Sequence, residues 1–223
     1  MELIQTPTAQ TTAATDLLLG LLSLFFSYSI YKMKAKDKGK ATIWAAAFLL
    51  LSIGALVGSV RAGFVLSDAT KFALNQPFYL SLALTVALFV IGLFYDLTNG
   101  HITKTHVLSI LGIGAFFYIL TVIFSGMFFI FLGYAAVAML LALFAYSVFA
   151  VSGKVKGASM VASGILLTLT AFAIQASKAI SFHLIWDFDH NGTFHLVQIL
   201  GTTCIFIGIS ISLQKTDNTK TIA

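Results

Sequence analysis

Seven apolar stretches of bilayer-crossing length dominate this 223-residue chain and leave little room for any other architecture. They cover residues 16–31, 41–66, 78–97, 106–124, 127–151, 158–177 and 191–213. A hydrocarbon core needs about 20 helical residues to cross it. In that medium each helix must satisfy its own backbone hydrogen bonds. Only Ser125 and Gly126 separate the fourth and fifth stretches, which predicts a tight antiparallel turn there. Reading the two as one helix of about 45 residues is far too long for a single crossing.

Composition supports lipid as the main solvent. Apolar residues make up 59 % of the chain and charged residues 9 %, whereas a soluble domain is roughly a quarter charged. The net charge of +5 does not point to nucleic acid, because the lysines gather in short loops between apolar runs. With the N-terminus outside, the cytoplasmic segments carry Lys32, Lys34, Lys36, Lys38, Lys40, Lys104, Lys154, Lys156, Lys215 and Lys220. The outside holds only Arg61, Lys71 and Lys178. That asymmetry is the positive-inside pattern, and a six-span reading breaks its alternation. The start of the chain is polar, rich in Thr and Ala and without a basic segment, so the first run is expected to stay as an uncleaved span. The expectation is an all-α, single-domain bundle over residues 1–223 with seven transmembrane helices, the N-terminus outside and the C-terminus cytoplasmic. Its expected location is a cell membrane, as a multi-pass protein of a bacterial inner membrane.

Local features add detail. Pro7 and Pro77 are expected outside helix interiors, where a missing N–H costs least. Gly54 and Gly58 form a small-xxx-small pair in the second helix, continued by Ala62 and Gly63, a spacing that lets backbones approach. Cys204 is the one cysteine, so an intrachain disulfide and a CxxC metal site are excluded. No P-loop, GxGxxG, HExxH or GxSxG is present.

Polar side chains are costly inside a membrane, so their positions point to function. They collect at the outer ends of the second, sixth and seventh helices. Asn191, His195, Gln198 and Thr202 follow i, i+4, i+7, i+11 and form one stripe expected to face the bundle interior. Asn191 is also a candidate helix cap. His190 and His195 are five apart, about 140° around a helix, so they share a metal only if His190 lies in a non-helical segment that folds back. The alternative is a wet interfacial His190 and a hydrogen-bonded His195. His183 is expected to be interfacial. Arg61, the one arginine, is near enough to the outer surface for its head to snorkel. Asp68, Asp187 and Asp189 are its candidate partners. It either anchors the helix in an ion pair or receives an anionic group. Gln175 and Lys178, three apart on the sixth helix, are candidates for the same cluster.

Segments 58–64 (GSVRAGF) and 189–198 (DHNGTFHLVQ), with seven helices and termini on opposite sides, resemble the CREST superfamily, which includes alkaline ceramidases and progestin/adiponectin receptors. The resemblance implies a zinc ion held by one second-helix histidine and an HxxxH pair on the seventh helix, activating water against a lipid amide. His195 matches one seventh-helix ligand here. The positions four before and four after are Asn191 and Ile199, and the second-helix position is Arg61 or Ala62. A catalytic zinc normally takes three protein ligands. The site is either rebuilt from His183, His190 and an aspartate or lost.

Three functions compete on this basis. The favoured expectation is a non-catalytic membrane protein whose outer pocket binds a lipid or small anionic ligand through Arg61, Gln175, Asp187, Asp189, Asn191, His195 and Gln198. Membrane lipids are its expected partners and nucleic acid is not. The first alternative is a zinc-dependent hydrolase of a lipid amide or ester, with His190 and His195 on the metal and Asp187 or Asp189 as base or ligand. A transporter or channel ranks last, because no acid is expected within the apolar middle of a span and no repeats are visible.

Overall fold

The computed structural model describes residues 2–124 and 128–214. The turn expected at Ser125 and Gly126, and Lys215, Lys220 and the C-terminus at Ala223, lie outside them. Seven helices are present among the described residues, each long and apolar enough to cross a membrane. They are α1 (Pro7–Lys32), α2 (Lys38–Gly63), α3 (Asp68–Leu97), α4 (Lys104–Ile123), α5 (Phe128–Ser152), α6 (Ala158–Ser177) and α7 (His190–Gln214).

Several helices extend beyond their apolar runs, for identifiable reasons. α1 begins nine residues before Asp16, at a proline whose fixed φ suits a first helical position. Its extra turns carry Thr11 and Thr12, whose hydroxyls donate to the Asp187 carbonyl and the Asp189 carboxylate, partners that a hydropathy count ignores. α2 starts at Lys38 because the Asp37 carboxylate accepts from the Lys40 amide. α3 starts at Asp68, where Ser67 accepts from the Thr70 amide and Asp68 sits favourably in the first turn. Pro77 therefore lies inside α3, contrary to expectation. Pro77 has no N–H for the Ala73 carbonyl; beside that gap the Gln76 side chain donates to the Phe72 carbonyl at 3.3 Å, and the Ser81 hydroxyl donates to the Pro77 carbonyl.

Consecutive helices pack as neighbours, and α1 packs against α7, so the seven form a closed ring. Two short ribbons finish one end. β1 (Glu2–Leu3) pairs antiparallel with β2 (Phe64–Val65), pinning the N-terminal segment across the end of α2. β3 (Phe182–His183) pairs with β4 (Asp187–Phe188) in a hairpin between α6 and α7. This hairpin end contrasts with a lysine end, where α2, α4 and α6 begin.

Two apolar cores hold the ring, the smaller formed by Val86, Phe131, Ala135 and Ala138 of α3 and α5. Toward the lysine end, Trp44, Phe48, Phe89, Tyr146, Ile165 and Ile209 are buried together, with Phe26 stacked on Phe206 at 4.2 Å between centroids. Between α6 and α7 the backbones meet on glycines. A Cβ at Gly164 would lie 2.5 Å from the Gly201 carbonyl oxygen, and one at Gly208 would lie 2.7 Å from the Gly157 carbonyl. Gly54 and Gly58 serve α2 differently: the first admits Leu82 of α3 and the second the Asp16 carboxylate of α1. The outward faces are apolar, with Leu108, Leu141, Phe144 and Val151 largely exposed.

Lys40 is not in a solvated loop, as its place in the lysine cluster suggested. It is 5 % exposed inside α2, with its ammonium 2.6 Å from Asp96 Oδ1 and a further bond to Ser212. The other Asp96 oxygen accepts from the Tyr146 hydroxyl at 2.9 Å. The group ties α2, α3, α5 and α7 together with every charge partnered, the condition under which a buried ion pair is tolerated.

Candidate functional site

A cavity of about 610 Å³ opens at the hairpin end and runs down the ring to the Trp44–Phe89 floor. Its size is that of a small-molecule or lipid-headgroup site. Apolar residues form most of its wall, and the polar groups come from five helices, α1, α2, α3, α6 and α7.

α7 supplies the stripe. Asn191, His195, Gln198 and Thr202 all line the cavity, as does His190. α7 starts at His190, so this histidine is the first helical residue and not part of a folded-back segment. The cap expected from Asn191 comes from Asp189. Its Oδ1 accepts from the amides of Asn191 and Gly192, both at 3.0 Å, and its Oδ2 accepts from Asn191 Nδ2 at 2.9 Å. Burial alone would raise the Asp189 carboxyl. The Gly192 amide, the Asn191 side chain, the charge of His190 and the Asn191 amide outweigh that and hold it below the usual carboxylate range. Asn191 is thereby fixed, and its Oδ1 accepts from Gln175 Nε2 of α6 at 2.8 Å.

α1 contributes groups that the hydropathy reading missed. Asp16 is 7 % exposed within α1, so an acid does lie inside one of the long helices. Its Oδ1 is 3.2 Å from His195 Nε2, and Thr15 Oγ1 is 3.2 Å from Nδ1. The Thr15 hydroxyl already donates to the Thr11 carbonyl at 2.8 Å, so Nδ1–H donates to Thr15. One proton is then held between Nε2 and Asp16. The spacing of Thr11, Thr12, Thr15 and Asp16, i, i+1, i+4 and i+5, was the sequence signal for this polar face.

α2 supplies Arg61. Among the described residues its guanidinium makes no ion pair; it lies 4.2 Å over the Phe78 ring and 5.8 Å from the Tyr79 centroid. The carboxylates expected to pair with it are engaged elsewhere. Asp68 lies 3.8 Å from Lys71, Asp187 is 2.7 Å from His183 on the exposed hairpin, and Asp189 caps α7. Neither Asp187 nor Asp189 lines the cavity, so the structure brings together Arg61, Gln175, His190, Asn191, His195 and Gln198 but leaves these two outside. Lys178 also reaches the cavity, over Phe129 at 5.7 Å.

The donors do not suit a metal. Among the described residues no three His, Cys, Asp or Glu side chains gather to hold an ion. Both ring nitrogens of His195 are in use, and His183 is on the hairpin with Asp187. The zinc site implied by the CREST resemblance therefore has no ligand set here.

The model of a family described as "Family of unknown function (DUF6962)" matches residues 11–214. No curated protein and no solved structure matches the chain.

Proposed function

Starting from the fact that the chain belongs to this family of unknown function, we propose that it is a multi-pass membrane protein whose cavity binds a lipid or a small anionic ligand without catalysis. Seven long apolar helices with apolar outward faces support the bilayer. The lysine asymmetry supports a cytoplasmic lysine end and an outer hairpin end, in the inner membrane of a bacterium. Kinship with the CREST proteins, as a metal-free relative, is part of the same reading.

One observation carries it. Among the described residues the Arg61 guanidinium has no ion pair, and, backed by Phe78, it lines a cavity large enough for a headgroup. A guanidinium with ring backing and free N–H donors is well suited to carboxylate or phosphate. The Asp16–His195 pair lies on the same wall: the Asp16 carboxylate fills the space at Gly58, one helical turn from Arg61.

The test is the phospholipid and small-anion content of protein purified in mild detergent, read by mass spectrometry of the extract. Arg61→Ala should lower the bound anion about tenfold, the loss of one charge-assisted hydrogen bond of about 1.5–3 kcal/mol. Arg61→Lys should retain part of it. An unchanged content in Arg61→Ala, with an unchanged melting temperature, overturns the reading.

A further inference from the structure

Two hydrogen-bond acceptors on residues that line the cavity have no partner. Gln198 is 9 % exposed, and its Oε1 is buried without a hydrogen bond. Its orientation is fixed by its neighbours. Thr168 spends its hydroxyl proton on the Gly164 carbonyl at 3.0 Å, so Thr168 Oγ1 can only accept, and Gln198 must turn Nε2 toward it at 3.3 Å. The same nitrogen donates to Thr202 Oγ1 at 3.2 Å. Oε1 is left over, on a residue that lines the cavity.

Gln175 repeats the arrangement nearer the mouth. The Asp189 carboxylate accepts from Asn191 Nδ2, so Asn191 must present Oδ1 to Gln175, and Gln175 must answer with Nε2. Its Oε1 is buried and unpartnered as well. Each such acceptor costs about 1–3 kcal/mol unless something donates to it.

A purely anionic ligand has no donor for either carboxamide oxygen and leaves both unmet. A quaternary ammonium headgroup has no N–H to give. We propose, building on the anion site above, that the cavity selects a headgroup carrying an anion and a primary ammonium together. The anion lies at Arg61, and the ammonium donates to Gln198 Oε1. Phosphoethanolamine, as a phospholipid headgroup or as the free molecule, has this chemistry.

The experiment uses the full chain in detergent with phosphatidylethanolamine, phosphatidylcholine and phosphatidylglycerol of identical acyl chains, in competition read by native mass spectrometry. The ethanolamine lipid should be retained about tenfold over each of the others, the worth of one charge-assisted bond. Gln198→Leu, or Gln198→Met should the first variant melt early, should bring the ethanolamine-to-glycerol ratio toward one while glycerol lipid still binds. Equal retention of the three lipids by the parent protein, or an unchanged ratio in both Gln198 variants, overturns the ammonium assignment. Should Arg61→Ala still abolish binding in that case, the anion site stands alone; should Arg61→Ala bind all three as the parent does, both readings fall. Displacement of bound lipid by free O-phosphoethanolamine but not by O-phosphocholine supports the proposal and identifies a soluble ligand. Its failure, with lipid selectivity intact, identifies the membrane lipid.

Discussion

Asp189 shows how one side chain organises others without entering the cavity. It caps α7, orients Asn191, and through Asn191 fixes Gln175. Thr12 of α1 also reaches its Oδ1, at 3.4 Å. Asp189→Ala should destabilise the protein by about 0.5–2 kcal/mol, as loss of an N-cap does, read from the melting temperature. Because the folded carboxyl is held below its unfolded pKa, its contribution is complete above the unfolded value and disappears as pH falls through the folded one. The melting temperature of the parent should therefore drop more steeply than that of Asp189→Ala as the pH is taken below the ordinary carboxylate range; parallel curves would remove Asp189 from this role. The α7 stripe was legible in the sequence because polar residues at helical spacing stand out in an apolar run. Asp16 was not, since it sits where the apolar run starts and reads there as a boundary. Nor was the division of labour among the acids: Asp187 and Asp189 are near the cavity in sequence, but the hairpin pairing and the cap consume them.

At the scale of the elements, the ring depends on places where neither lipid nor water fits. The α6–α7 seam is one, its glycines spaced by seven along each helix at 157 and 164, and at 201 and 208. Gly164→Leu must push a side chain into the Gly201 backbone and Ile205, and overpacking of this kind costs about 1–3 kcal/mol or more; a parent-like melting temperature would contradict the close approach. The Lys40–Asp96 pair is another. Asp96→Leu strands a buried ammonium, for which removal of one partner costs about 3–5 kcal/mol. The double variant Lys40→Met, Asp96→Leu should recover much of that loss, and a double variant as unstable as the single one would show that the pair is not acting as a unit. Periodicity revealed the existence of these helices and most of their lengths. It missed the first turns of α1 and α3, because threonine and proline lower a hydropathy average while still fitting a capped helix start. It also placed Lys40 with its loop neighbours, since nothing local distinguishes the one lysine that meets Asp96.

For the molecule as a whole, seven antiparallel crossings put the hairpin at 182–188 and the turn at Asn99–Gly100 on opposite sides of the proposed bilayer. In a Cys204→Ala background, a cysteine at Asn99 should react with an impermeant reagent only after the cytoplasmic face is opened, and one at Ile185 should react in intact cells. The reverse pattern would invert the molecule and place the cavity mouth in the cytoplasm. Loop charge and span count made the ring's alternation readable, but the closure of α1 against α7 depends on side-chain bonds between residues 180 apart, which no local pattern encodes. The two tryptophans occupy very different places in this frame: Trp44 is 1 % exposed at the cavity floor and Trp186 is 64 % exposed at the hairpin tip. Replacing Trp186 with phenylalanine leaves a chain whose indole emission comes from the cavity floor alone. The protein thus holds a built-in optical gauge of filling, readable without any label, in which an arriving acyl chain shifts the spectrum and a molecule confined to the mouth does not.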